Sequence, residues 1–252
     1  MRLFEAAGCA IPIISDYWPG LETFFKPDRE ILIAETPEDT LRFVHDLPDS
    51  RRREIGARVT GIDVDPHYLR QARWAAGRLG LEEQIEFRQM QVYDLAHIAE
   101  KFDLVLFMGV FYHLRYPLLG LDLVSQKVRR LMVFQTLSMP GEAVREVTQV
   151  AHLNDRDALL DPGWPKMAFL EHDFAGDHTN WWAPNRSGVE AMLRSSGMQI
   201  TGRPENEIYL CTPDPERPSC VSTWNTRELL SATGRTWQEP TELTPYSALD
   251  LE

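Results

Sequence analysis

The chain has 252 residues, 43% hydrophobic and 25% charged, with a net charge of −12. These are the proportions of an ordinary soluble globular chain, and the acidity works against broad contact with a phosphate backbone. No apolar run approaches the roughly 18 residues needed to span a bilayer, the opening "MRLFEAAGCAIPIIS" lacks the basic-then-apolar layout of a secretory signal, and Cys9, Cys211 and Cys220 form no CxxC pair. A cytoplasmic location with reduced thiols is expected, without a disulfide framework or zinc knuckle.

In chain order, "IPIIS" (11–15) and "EILIA" (30–34) are short apolar runs suited to buried parallel strands. Thr36 is placed to cap a helix that Pro37 opens, with acids in its first turn. The "RRR" of 51–53 reads as a solvated helix face. From about residue 57, strand and helix alternate regularly. "RVTGID" is a strand, Asp65 caps the next helix and Pro66 opens it. Leu69, Ala72, Ala76 and Leu79 then recur at helical spacing until Gly80 ends it. "IEFRQMQ" is a second strand. "FDLVLFMGV", apolar on both faces, is a third and is expected at a sheet centre. "PLLGLDLVSQKVRR" reads as a helix and "LMVFQTL" as a further strand. Between 138 and 186 the pattern breaks into Trp, Pro, His and Asp, as in "EHDFAGDHTNWWAPN". Long insertions of this kind usually cover a site. A helix at "SGVEAMLRSSGM" and a strand pair at "QITGR" and "EIYLCTP" follow. Beyond Thr212 a Pro-, Ser- and Thr-rich tail is expected, loosely packed, with one helical patch at "NTRELLSAT". This order predicts an α/β fold with a doubly wound, mostly parallel sheet closed by a C-terminal antiparallel strand pair.

Open α/β sheets bind ligands at the carboxyl ends of their strands. Asp63 ends its strand, where a carboxylate either accepts hydrogen bonds from ribose hydroxyls or serves the local turn. "QVYDL" puts Val92 and Tyr93 where an adenine ring stacks. Gly109, in "FMGVFYHLRYPL", lets backbone approach a ligand. Tyr112 and His113 follow in the same loop, His113 as a general base or as a structural hydrogen-bonding group. Trp181 and Trp182, with Asn180 and Asn185, read as a substrate lid or as a plug over the sheet end. His172, Asp173, Asp177 and His178 match no metal-ligand spacing, so no metal site is expected.

The run from Asp63 through "VYDL" to "FDLVLFMGVFYH", with the closing helix and strand pair, resembles class I S-adenosylmethionine-dependent methyltransferases. "MGVFYHLRYPL" and "NWWAPN" resemble the branch containing the tRNA wobble-uridine carboxymethyl-transferring enzymes. The resemblance spans roughly residues 57 to 212. It implies S-adenosylmethionine as cofactor, with Asp63 on the ribose, Asp65 nearby, Val92 and Tyr93 along the adenine, and Met108, Gly109 and Tyr112 near the transferable group. His113 or Tyr112 would assist proton removal, and the acceptor would be a small molecule or glycan; the acidic balance disfavours tRNA.

The first stretch, "RLFEAAGCAIPIISDYWPGLETFFKPDREILIAETPEDTLRFV", resembles the carboxyl-terminal part of glycosyltransferases built from two Rossmann-like domains. That resemblance implies Glu5 as a grip on a donor nucleotide's ribose. The expected organisation is therefore a glycosyltransferase-like fragment over 1–57, a methyltransferase-like domain over 58–212 with its insertion at 138–186, and a tail over 213–252, joined between Arg51 and Val59. The methyltransferase-like part lacks the first strand and glycine-rich loop of that family. The 30–34 strand, through the helix from Thr36 and the strand at Arg58, is expected to take the empty central slot as a right-handed βαβ unit. In that arrangement Glu35, Glu38 and Asp39 of "AETPED" would confront the cofactor's carboxylate, a like-charge contact of about 1–4 kcal/mol at ~4 Å. Three functions stay open: methyl transfer, a cofactor-free scaffold, and a sugar-nucleotide-binding module using Glu5.

Overall fold

The computed structural model describes residues 13–17, 21–46, 48, 58–145, 154, 156–171, 173–216 and 226–234. Glu5, Cys9, Cys220, His172, the basic run at 51–53 and most of the 213–252 tail lie outside these residues.

The first elements are β1 (Ile14–Ser15), α1 (Leu21–Phe24), β2 (Leu32–Ile33) and α2 (Pro37–His45). Local chemistry sets α2 as expected. The Thr36 hydroxyl accepts from the Asp39 N–H at 3.1 Å, and the Asp39 carboxylate accepts from the Thr36 N–H at 3.1 Å. This reciprocal box satisfies two donors at the helix start. The pairing of β2 differs from expectation. It runs parallel to β1, with Ile14 opposite Leu32 and Ser15 opposite Ile33, and does not enter the central slot. Ile13, Leu21, Phe25 and Ile31 form a small core of their own beneath this pair. Burial against neighbouring residues in the same unit holds the 30–34 run there.

The main body follows: β3 (Val59–Asp63), α3 (Pro66–Leu79), β4 (Ile85–Gln89), β5 (Phe102–Met108), α4 (Pro117–Ser125), β6 (Val128–Gln135), β7 (Met167–Phe169), β8 (Trp182–Pro184), α5 (Arg186–Ser195), β9 (Met198–Glu205), β10 (Ile208–Pro213) and α6 (Thr226–Ala232). It is the expected α/β arrangement. β3 pairs in parallel with β4, β5 in parallel with β6, and β10 runs antiparallel to both β6 and β9. The helix signals around α3 hold: the Asp65 carboxylate accepts from the His67 N–H at 2.7 Å, and Gly80 closes the helix at φ 67°. The last turn departs from the pattern, because Leu79 points outward and is 64% exposed while Leu69 and Ala76 are buried. The helix at 117 is shorter than the sequence suggests; it stops at Ser125, and Val128–Arg130 already belong to β6.

The sheet is split. Its strand order is β5–β6–β10–β9 in one piece and β3–β4 in another, and among the described residues no strand lies between β3 and β5. Thus β5 is an edge strand rather than the centre of a continuous sheet, and its Leu106 is 41% exposed. A cleft of about 1610 Å³ fills the gap, lined along its length by Val59–Asp63 on one wall and Phe102–Phe107 on the other. The N-terminal unit covers part of it. Phe25, Arg29 and Glu30 line the cleft, Leu104 of β5 packs against the small core, and the Arg130 guanidinium donates to the Glu22 carbonyl at 3.3 Å.

The principal core lies against β5, β6 and β10, with Phe111, Phe134, Leu121, Leu193 and Tyr209 among its buried members. Leu229 of α6 joins it, so this part of the tail is packed rather than loose. Among the described residues one carboxyl is buried with it. Asp122 of α4 accepts from the Ser196 hydroxyl at 2.7 Å, and burial pushes its carboxyl above the ordinary range. A carboxyl raised on folding stabilises the fold below its unfolded value, and that contribution is lost as pH rises through its folded value. At pH 7 the buried charge is a cost. Asp122→Asn, which keeps an acceptor for Ser196, is expected to raise the melting midpoint by a few degrees at pH 7. Its advantage should vanish by about pH 3, below the ordinary aspartate value; thermal scans at the two pH values check this.

Candidate functional site

The cleft between β3 and β5 gathers chemistry at its carboxyl end. Asp63, the last residue of β3, turns its carboxylate to accept from the Asp65 N–H with Oδ1 at 2.7 Å. Asp65 uses its own Oδ1 on the helix cap. Both line the cleft, as do Met90, Gln91 and Val92 from the turn after β4. That turn is a 3-10 helix over Val92–His97, pinned where the Gln91 N–H donates to the Asp94 carboxylate at 2.8 Å. Gly109 follows β5 at φ 69°, a conformation that favours glycine, and leaves bare backbone at the wall. His113 and Thr179 complete this end.

Of the eight residues expected here, the structure brings five to the cleft wall: Asp63, Asp65, Val92, Gly109 and His113. The other three are not on that wall. Met108 packs on the small cluster of Leu131, Val133 and Ile208 on the sheet. Tyr93 accepts from the Tyr116 N–H at 3.1 Å, and its ring meets the Tyr116 ring edge-on at 6.2 Å. Tyr112 is not part of the wall, although its hydroxyl lies 3.9 Å from where a Cβ on Gly109 would stand. Burial, reinforced by Asp177 and Glu207, pushes the Tyr112 phenol above its ordinary value. It is therefore protonated at neutral pH.

The insertion supports the site from behind. β7 and β8 form an antiparallel hairpin, which the sequence pattern did not reveal. It docks on the turn after β5: the Trp181 N–H donates to the Tyr112 carbonyl at 2.9 Å and the Trp182 indole to the Arg115 carbonyl at 3.4 Å. The Arg115 guanidinium sits over Trp181 at 4.8 Å and over Phe169 at 5.2 Å. Neither tryptophan is on the cleft wall, and the pair buttresses the 111–115 turn. Asn180 donates to the Phe174 carbonyl at 2.8 Å, and Asn185 caps α5 while holding the Lys166 N–H at 3.0 Å. These amides fix the hairpin's two approaches.

Sequence reasoning missed the contact that this hairpin makes with His113. Thr179 lies 66 positions away, yet its hydroxyl is 2.9 Å and its carbonyl 3.2 Å from His113 Nδ1. Asp177 accepts from the Thr179 hydroxyl at 2.6 Å and from the Thr179 N–H at 2.7 Å. These hydrogen bonds, with His113 and His178 nearby, hold the Asp177 carboxyl below its ordinary range. The local signal was the "DHT" turn, in which an aspartate bonds the backbone two residues on. Among the described residues no group of three or more His, Cys, Asp or Glu side chains gathers to hold a metal ion. The acidic "AETPED" turn is also displaced from the site. Glu35 lines a separate shallow pocket, Asp39 is engaged with Thr36 and Arg42, and neither they nor Glu38 are on the cleft wall. The charge conflict foreseen for that turn is absent because β2 does not enter the slot.

Comparison with known proteins gives two overlapping matches. Residues 1–76 match the family described as glycosyl transferase-like, and residues 49–132 the family described as methyltransferase domain. The overlap contains the stretch from Arg51 to Val59. A tRNA U34 carboxymethyltransferase of Cellvibrio japonicus is 26% identical over 150 residues, 58% of this chain and 41% of that protein. An uncharacterised protein of Synechococcus is 33% identical over 72 residues, 29% of this chain and 17% of that protein. The chain spans less than half the length of these curated relatives. Among solved structures, a magnesium protoporphyrin IX methyltransferase from Synechocystis with bound SAH is 16% identical, with a TM-score of 0.41, covering 63% of this chain and 65% of that one. No helix among the described residues is long and apolar enough to cross a membrane.

Proposed function

We propose that the α/β body of this chain is an S-adenosylmethionine-dependent methyltransferase domain acting on an oxygen or nitrogen of a small-molecule or glycan acceptor. The observation that carries this reading is the meeting of Asp63, Val92, Gly109 and His113 at one end of one cleft. A nucleoside cofactor needs a carboxylate for its ribose hydroxyls, an apolar edge for its base and bare backbone beside its reactive end. Asp63 spends one oxygen on the Asp65 N–H, leaving Oδ2 for ribose, and Val92 would line the base. When bound, the cofactor supplies an electrophilic methyl group; the chain's part is to align the acceptor and take its proton. The methyltransferase-domain match over 49–132 supports the same reading. The tRNA-modifying relative points to an RNA acceptor, against which stands the net charge of −12.

A second reading, a scaffold without cofactor chemistry, draws on the open slot between β3 and β5 and on the scarcity of bare backbone at the cleft's carboxyl end, where Gly109 is the one glycine on the wall among the described residues. Calorimetric titration of the folded protein with S-adenosylhomocysteine separates the two. Methyl transfer predicts saturable binding in the micromolar range, about −8 kcal/mol. Absence of binding by a protein shown to be folded by circular dichroism overturns the methyl-transfer reading in favour of the scaffold.

A further inference from the structure

The surroundings of His113 specify where its proton sits. The Thr179 carbonyl, 3.2 Å from Nδ1, can only accept a hydrogen bond. The Thr179 hydroxyl, 2.9 Å from the same nitrogen, has one proton to give, and Asp177 Oδ1 stands 2.6 Å from it. An ionised carboxylate has no proton to offer, so the hydroxyl donates to Asp177 and turns a lone pair toward the imidazole. Both neighbours of Nδ1 therefore demand a proton on that nitrogen. We infer that Thr179 and Asp177 are positioning residues that lock His113 in its Nδ1–H tautomer and present the Nε2 lone pair to the cleft as the proton acceptor.

The order of the groups gives the device its direction. A proton leaving an acceptor O–H or N–H passes to Nε2 and makes the ring an imidazolium. The second oxygen of Asp177 lies 4.0 Å from Nδ1, where it faces the new positive charge. The Tyr112 ring lies against the imidazole at 4.2 Å between centroids, tilted by 44°. A carboxylate that orients a histidine and holds its tautomer is a recurring solution for a base that must be correctly turned before reaction; there the carboxylate bonds the imidazole directly. Here a hydroxyl stands between the two, and all three groups depend on the hairpin docking on the turn after β5. The tautomer itself follows from these contacts; its use as a base rests on the methyl-transfer reading above.

The test is nitrogen-15 NMR of the imidazole rings in the whole chain at about pH 8, above the ordinary histidine range. His113→Gln identifies the His113 signals by their loss. The expected spectrum has a pyrrole-like Nδ1 and a pyridine-like Nε2. Asp177→Asn places an amide donor beside the Thr179 hydroxyl, freeing its proton for Nδ1, so the Nε2 signal should move away from the pyridine-like position. Thr179→Val should move it as well, and Thr179→Ser should restore it. A wild-type ring found in the Nε2–H form overturns the inference. So does an Nδ1–H ring whose signals ignore both Asp177→Asn and Thr179→Val, since the pair would then position nothing. If one variant fails to fold, the other decides the matter against the wild-type spectrum. None of these readouts needs cofactor or acceptor, so failure of the methyl-transfer reading would show separately, in the titration with S-adenosylhomocysteine.

Discussion

Truncating Phe134 to alanine is expected to remove about 3–5 kcal/mol of stability, the range for deleting a large buried aromatic. Phe134 is 1% exposed and lies on β6, the strand joining the parallel part of the sheet to the antiparallel part. Its ring meets Phe107 at 5.8 Å, Phe111 at 5.4 Å and Tyr209 at 6.4 Å. It thus ties together β5, the turn that carries His113, and β10. The cavity left behind would loosen all three at once, because packed interiors relax only partly around a deletion. The melting midpoint should fall by roughly 10 °C or more for a domain of this size. Trp74 is the internal control. It is as large a side chain but 71% exposed on α3, and its replacement by alanine should change stability by less than ~0.5 kcal/mol. Thermal unfolding followed by circular dichroism measures both. Equal effects would mean that the core is not organised around Phe134.

For ligand binding, the largest effect is expected at Asp63. Asp63→Ala should weaken S-adenosylhomocysteine roughly 10- to 150-fold, the loss of a charge-assisted hydrogen bond of about 1.5–3 kcal/mol. The alanine also strips the Asp65 N–H of its acceptor, so part of any loss would come from a disturbed turn. Asp63→Asn separates the two contributions, since the amide oxygen still serves Asp65 while the charge is gone. Binding by Asp63→Asn that stays close to wild type would remove ribose recognition by the carboxylate as an explanation. Calorimetry on the three proteins under one buffer gives the comparison.

What the sequence makes legible here is mostly local. Thr36 with Asp39, Asp65 with Pro66, and Gly80 each sit where their side-chain or backbone chemistry completes a helix end, and each does so within four residues. The antiparallel pair of β9 and β10 is equally local, joined by a short turn. Non-local pairing is another matter. "EILIA" says that it is an apolar strand but nothing about which strand it joins, and its partner proved to be Ile14–Ser15. "FDLVLFMGV" shows a related limit. Apolar residues on both faces report cover above and below a strand, not a neighbour beside it, so the pattern of a central strand was carried by one with an open edge. The candidate site divides along the same line. Asp63, Val92 and Gly109 could be placed from strand ends, whereas the Thr179 and Asp177 contacts to His113 close a loop of 66 residues that no short motif announces. Met108, at the end of β5, and Tyr93, in the turn after β4, lie off the cleft wall, and spacing alone does not say which residues of a strand end or turn face it.

The split sheet also has a bearing on the behaviour of the protein as a colloid. Strand edges without partners are templates for joining another chain, and such joining requires approach to about 4.8 Å. At a net charge of −12 the molecules repel one another at long range. That repulsion reaches about 10 Å in 0.1 M salt but only about 3 Å in 1 M, less than the distance between paired strands. Among the described residues β3 and β5 have unpaired edges facing the cleft. Self-association, if those edges drive it, is expected to rise with ionic strength, and light scattering across a salt series checks it.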